Sequence, residues 1–256
     1  MSPADRGGSV TVIGLGPGDP RLLTQAAAEA LARAQDLIGY IPYVARVPER
    51  PGLVRHPSDN RVEVDRARHA LALAASGRHV AVVSGGDPGV FAMAAAVFEA
   101  VEHGEPDWRD LAITVEPGIT AMLAAAARLG APLGGDFCAL SLSDNLKPWE
   151  TVLARLDAVL RADLVVALYN PISRARPWQL GQAFALAERI RPPETPVILA
   201  RAVTRPDEAI RVLRLDEAAA APADMATVVI LGASGTRLIP RGDGLPFVYT
   251  LRSVAG

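Results

Sequence analysis

One segment narrows the fold more than any other: Val10-Thr11-Val12-Ile13-Gly14-Leu15-Gly16-Pro17-Gly18-Asp19-Pro20. Four β-branched residues in a row read as a buried strand, and the glycine-proline run after them reads as a tight turn. Asp19 is a good N-cap and Pro20 suits a first helical position, so a helix is predicted over residues 20–34. Strand, glycine turn and helix in that order place a small-molecule site at the carboxyl end of the strand. Three glycines remove the Cβ atoms where a ligand would approach the backbone. The dinucleotide fingerprint requires a third glycine at position 19, where Asp19 stands instead. Its carboxylate would repel a pyrophosphate on the helix N-terminus, which argues against a nicotinamide- or flavin-dependent reductase.

Hydrophobic residues make up 50% of the 256, enough to build one large core or two ordinary ones. A net charge of −2 leaves no electrostatic footprint for nucleic acid. No apolar run approaches the roughly 20 residues of a membrane helix. The short polar stretch before Ser9 lacks the apolar core of a signal peptide. Cys138 is the only cysteine, which excludes an intrachain disulfide and any metal cluster built on several cysteines. These features together predict a cytoplasmic protein with no bound metal. Lys147 is the only lysine.

In the first half, strands are predicted over residues 10–13, 37–40, 79–84 and 111–116, with helices over 20–34, 65–76, 90–101 and 120–129. Strands separated by crossover helices imply a mostly parallel sheet covered on both faces. In the second half, strands are predicted over 137–142, 164–168, 196–200, 209–215, 226–231 and 247–251, with helices over 149–160 and 178–190. Fewer helices separate these strands, which implies a mixed sheet. The fold class is therefore α/β with two α/β domains, residues 1–117 and 118–256, divided at the Pro117-Gly118 turn signal.

Two further turns repeat the theme of the first. Ser84-Gly85-Gly86-Asp87-Pro88-Gly89 also follows a buried strand, and the absence of Gly-Lys-Ser/Thr after it rules out a Walker loop. Glu116-Pro117-Gly118-Ile119-Thr120-Ala121 ends the 111–116 strand with small residues and one hydroxyl. Turns on the same edge of one open α/β sheet mark a ligand site, and an acidic residue there suits a ligand offering hydroxyls, an amine or a positive charge. The three turns, with Leu23-Thr24 after the first, resemble those of the tetrapyrrole methylases, the class III S-adenosyl-L-methionine-dependent methyltransferases, in order and separation. The resemblance extends from about Ser9 to about Val254. Further segments are similar to the branch of that family acting on precorrin-3B: Gly39-Tyr40-Ile41-Pro42-Tyr43, Leu140 to Trp149 with Ser141-Leu142-Ser143-Asp144, Leu168-Tyr169-Asn170-Pro171, and Met225 to Gly232. One departure is Ala202-Val203-Thr204, where the family usually has a glycine-containing turn.

The resemblance implies two α/β domains with S-adenosyl-L-methionine folded between them and held largely by backbone groups. Pro17, Gly85, Gly86, Asp87, Val90, Thr120 and Ala121 would hold it from the three turns, and Tyr169, Ala202 and Thr227 from the second domain. The implied reaction is methylation of carbon 17 of precorrin-3B with ring contraction to precorrin-4, within cobalamin biosynthesis. Contraction requires a base and help for a departing group. Asp19, Tyr40, Tyr43, Ser143, Asp144 and Lys147 are the candidates. Lys147 and Arg201 suit the substrate's carboxylates. His56, in a loop, is the one histidine with a plausible acid-base role. A homodimer and hand-over of substrate between neighbouring pathway enzymes are also implied. Alternatives are another precorrin or uroporphyrinogen methylase, or a non-catalytic tetrapyrrole carrier.

Overall fold

Valine and isoleucine runs in the first half form one all-parallel sheet. Its strands are β1 (Ser9–Gly14), β2 (Asp36–Tyr40), β3 (Val54–Ser58), β4 (His79–Ser84) and β5 (Ala112–Glu116), in the order β3-β2-β4-β1-β5. The computed structural model describes residues 7–59, 62–173, 175–242 and 244–253. The chain divides into two units between Thr120 and Ala121.

Alternate residues of the central strands bury opposite faces, which is why these strands are apolar throughout. Val10, Val12, Ile38, Val80 and Val82 pack against α3 (Glu63–Ala75) and α4 (Met93–His103). Ile13, Leu37, Ala81 and Val83 pack against α1 (Gln25–Arg33) and α2 (Ile41–Val44). Each fully buried valine or leucine contributes about 1.5–3 kcal/mol. Alanines on α1, α3 and α4 let the helices approach the sheet closely.

The second unit begins with α5 (Ala121–Leu129) and a two-residue strand β6 (Gly130–Ala131). Its main sheet contains β7 (Phe137–Ser141), β8 (Val165–Tyr169), β9 (Pro196–Arg201), β10 (Ala209–Arg214) and β11 (Thr227–Leu231), in the order β10-β9-β11-β8-β7. Only the β7–β8 pair is parallel, joined by the crossover helix α6 (Trp149–Arg161). Leu156, Leu160, Leu168, Phe184, Leu199 and Leu231 centre the core between this sheet, α6, α7 (Gln179–Ala187) and the short α8 (Leu215–Ala218). A small sheet of β12 (Thr236–Ile239), β13 (Phe247–Thr250) and β6 completes the unit. The predicted parallel and mixed sheets are both present.

The predicted helix over 20–34 is broken. Asp19 caps a single 3-10 turn at Pro20–Leu22, and α1 starts at Gln25, where Thr24 Oγ1 accepts the Ala27 N–H at 3.1 Å. Asp19 therefore does not sit on the N-terminus of α1, and the repulsion argued from that position does not apply. The case against a dinucleotide rests instead on the long turn, residues 15–23, between β1 and the Thr24 cap. The strands β3, β6 and β12 escape a periodicity reading: β3 is an edge strand holding His56 and Pro57, and β6 has two residues. Residues 1–6 of the polar N-terminal stretch lie outside the described residues. Among those described, no helix is long and apolar enough to cross a membrane.

Candidate active site

The strands β4, β1 and β5 are neighbours and parallel, so the turns leaving their carboxyl ends meet on one edge. The first two pair directly. The Gly16 N–H donates to the Gly86 carbonyl at 3.1 Å, and the Gly86 N–H donates to the Gly16 carbonyl at 2.9 Å. Both glycines have φ +66°, a left-handed conformation that favours glycine. Asp87 ties in the third turn: Oδ1 accepts the Gly89 N–H at 2.8 Å and Oδ2 accepts the Gly118 N–H at 3.1 Å. Arg46 supports the first turn from behind, donating to the Leu15 and Gly16 carbonyls at 2.6 and 3.0 Å.

The glycines do not leave the space for ligand that their sequence suggests. A Cβ on Gly118 would lie 2.2 Å from the Gly86 carbonyl oxygen, and one on Gly14 would lie 2.7 Å from both that oxygen and the Gly118 nitrogen. The missing side chains at Gly14 and Gly118 let the three turns pack against each other. At Gly85 the neighbour is the Tyr43 ring, 2.7 Å from where a Cβ would stand. Tyr40 meets Tyr43 edge-on with ring centroids 5.5 Å apart, so both tyrosines belong to this edge. Pro17 and Thr120 are buried here, and Gly85, Gly86, Asp87 and Val90 are partly exposed. Asp19 pairs with Arg21 at 2.6 Å on the surface, a pair of small energetic weight.

The second unit positions its candidates through side chains. Ser141, at the end of β7, accepts from Asn170 Nδ2 at 2.9 Å and from the Ser143 N–H at 3.3 Å. Asp144 pairs with Arg176 and also accepts from Gln179 Nε2 at 2.9 Å, with Gln179 only 1% exposed. Arg176 reaches Asn145 Oδ1 as well, at 2.6 Å. Ser143, Asp144 and Lys147 thus share one strap after β7. Lys147 is half-buried, and burial, helped by the nearby Arg155 charge, lowers its pKa. The Tyr169 hydroxyl accepts the Met122 N–H at 3.0 Å. Ala202 stands at φ +48° and donates its N–H to the Ala226 carbonyl at 2.9 Å, while Thr227 Oγ1 donates to Asp224 Oδ1 at 3.0 Å.

Two residues that the sequence singles out are engaged elsewhere. Arg201 pairs with Asp224 and Asp207, each at 2.8 Å, so it is not a free cation awaiting a carboxylate. His56 lies in β3 rather than a loop, with Nε2 2.8 Å from the buried Asp36, which Arg78 also contacts. Burial pushes the Asp36 pKa up, but hydrogen bonds and charge from Arg78 and His56 outweigh it, leaving the pKa lowered. This cluster sits at the start of β2, away from the glycine turns. Sequence reasoning misses Arg46, Arg176 and Gln179, which carry no local motif and act on loops 30 or more residues away.

Two α/β units, one with interlocked glycine turns on the ligand-binding edge of a parallel sheet, define a protein built to hold a small molecule. The family model for tetrapyrrole (corrin/porphyrin) methylases matches residues 9–219, and the chain belongs to that family. A precorrin-3B C(17)-methyltransferase of Sinorhizobium sp. is 56% identical over 97% of this chain and 98% of its own. The crystal structure of the methyltransferase CobJ matches with TM-score 0.90 and 52% identity, covering 95% of this chain and all (100%) of that one. The uroporphyrin-III C-methyltransferase of Thermus thermophilus, solved with S-adenosylhomocysteine, shares the fold at TM-score 0.67 and 23% identity, covering 88% and 97% of the two chains.

Proposed function

We propose that this chain is an S-adenosyl-L-methionine-dependent methyltransferase of cobalamin biosynthesis, methylating carbon 17 of precorrin-3B and contracting the ring to precorrin-4. The observation that carries the reading is 56% identity, over nearly the full length of both chains, to a relative named for that reaction. The donor set fits the cofactor. A carboxylate has about four acceptor positions, and backbone amides take two at Asp87, leaving two for hydroxyl or ammonium groups. When bound, the cofactor supplies an electrophilic methyl group on a positively charged sulfur. In the first unit, Pro17, Gly85, Gly86, Asp87, Val90 and Thr120 would hold it through main-chain groups and that carboxylate.

The chain's main task is orientation, which alone supplies about 7–11 kcal/mol of a barrier. Lys147 offers a half-buried cation for a substrate carboxylate. Asp144 holds the strap that carries Lys147 through Oδ1, where Arg176 and Gln179 both donate, and its Oδ2 is a candidate base. Asp19, Tyr40, Tyr43, Ser143, Asp144 and Lys147 are the candidates to supply the base and to help the departing group in contraction. The same reading makes the protein a cytoplasmic homodimer that exchanges substrate with neighbouring pathway enzymes. The direct test incubates the protein with methyl-labelled S-adenosyl-L-methionine and precorrin-3B. Label on carbon 17 of a ring-contracted product is expected. Label at another position points to a sister methylase, and tetrapyrrole binding without label transfer points to a carrier.

A further inference from the structure

Among the described residues, one buried charged side chain beside the glycine turns has no counter-ion. Arg66, on α3, is 5% exposed. Its Nε donates to Ser58 Oγ at 2.8 Å, one terminal nitrogen to the Asp59 carbonyl at 2.8 Å, and the other to the Met93 thioether at 3.2 Å. All three acceptors are neutral, and sulfur is a weak one. No described carboxylate forms an ion pair with it. The described carboxylate whose charge reaches it is Glu63, an exposed acid earlier on α3; Tyr43 on α2 is nearby but is a neutral phenol near pH 7. Burial lowers the Arg66 pKa, and Glu63 and Tyr43 offset only part of that.

The position is as telling as the charge. Ser58 ends β3 opposite Tyr40, which ends β2, so Arg66 reaches the same sheet edge as the turns. Met93 opens α4 where the chain leaves the second glycine turn, and its N–H donates to Ser84 Oγ at 3.3 Å. The Tyr43 ring lies over Gly85. The guanidinium therefore abuts the Met93 end of the second turn. Burying an ion without a counter-charge is costly, and a neutral side chain of the same length would fill the space without that cost. Three of the five N–H donors are used, which leaves two.

We propose that Arg66 is a docking point for a carboxylate of a bound ligand, which supplies the missing negative charge. The two sources rest on the function proposed above: an acidic side chain of the precorrin, or the amino-acid carboxylate of the cofactor. Either would make charge-assisted bonds to the remaining donors.

The test compares Arg66→Met and Arg66→Lys with wild type, using calorimetry with S-adenosylhomocysteine and steady-state kinetics with precorrin-3B as the varied substrate. Arg66→Met should raise the S-adenosylhomocysteine Kd or the precorrin-3B KM by about tenfold or more, the scale of one charge-assisted bond, with kcat much less affected. Arg66→Lys should recover part of the loss. The constant that moves identifies the source. Without ligand, Arg66→Met should melt at or above the wild-type temperature, because it removes an uncompensated buried charge. Both constants staying within about twofold of wild type, a difference under 0.5 kcal/mol, overturns the proposal. So does a fall in melting temperature accompanied by equal weakening of both. If wild type transfers no methyl to precorrin-3B, the substrate reading fails by itself, and the S-adenosylhomocysteine titration alone then decides for or against Arg66.

Discussion

The two units hold their loops by different means. In the first, backbone binds backbone: Gly16 and Gly86 exchange hydrogen bonds, and Gly14 and Gly118 close on Gly86 with no side chain between them. The Asp87 side chain stitches the second turn to the third, accepting the Gly118 amide across the edge and the Gly89 amide within its own turn. In the second unit, side chains fix the loops. Asn170 reaches Ser141, Arg176 and Gln179 converge on Asp144, and Tyr169 meets the Met122 amide. A backbone-built edge is rigid and tolerates almost no added atom. A side-chain-built edge tolerates changes in shape but depends on each polar partner.

The largest effect that sharpens this contrast should come from Gly118→Ala. Its Cβ would meet the Gly86 and Gly14 carbonyls, and neither backbone group can rotate away. The expected loss is about 3 kcal/mol or more, at the upper end of overpacking, read as a fall in the urea midpoint. A loss under about 1 kcal/mol would mean the turns are looser than described. Next comes Asp87→Ala, which leaves the Gly89 and Gly118 amides without their carboxylate. It should cost about 2 kcal/mol of stability and weaken S-adenosylhomocysteine binding by about tenfold or more. Undiminished binding would remove Asp87 from the cofactor site.

Asp144→Asn is the matching change in the second unit. It removes the charge from the Arg176 pair but keeps an acceptor for Gln179. The pair is about one-fifth exposed, so solvent takes part of the effect, and a loss of about 1–2 kcal/mol is expected. Precorrin-3B KM should rise with the looser strap while S-adenosylhomocysteine affinity stays as in wild type. An unchanged KM would separate the strap from substrate binding.

The same contrast explains what can be read in the sequence. The glycine turns are legible because backbone packing leaves a local signature: Gly-Asp-Pro at a strand end appears twice. Their purpose is only half legible, since the missing Cβ atoms suggest space that neighbouring turns occupy. The helix expected over 20–34 is split because Asp19-Pro20 caps a 3-10 turn as readily as an α-helix, and the stronger α cap at Thr24 lies inside the predicted span. Arg46, Arg66, Arg176 and Gln179 cannot be read at all. Each is an ordinary polar residue until folding places it beside its target, and no spacing rule connects Gln179 to Asp144.

The smallest expected effect has the opposite sign. Ala202 follows β9 at φ +48°, a left-handed conformation costing an L-residue about 1–2 kcal/mol, and Thr204 two residues on stands at φ +70°. The resemblance leads one to expect glycine in this turn, and the backbone here takes a shape that favours glycine. Ala202→Gly should relieve the strain, partly offset by the greater freedom of glycine in the unfolded chain, for a net gain of about 0.5–1 kcal/mol. The Ala202 N–H to the Ala226 carbonyl is untouched by the change, so the turn should keep its path and S-adenosylhomocysteine affinity should hold. A lower urea midpoint would show that the buried Ala202 methyl contributes more packing than its backbone costs in strain. That result would make this turn, like the rest of the second unit, one held by its side chains.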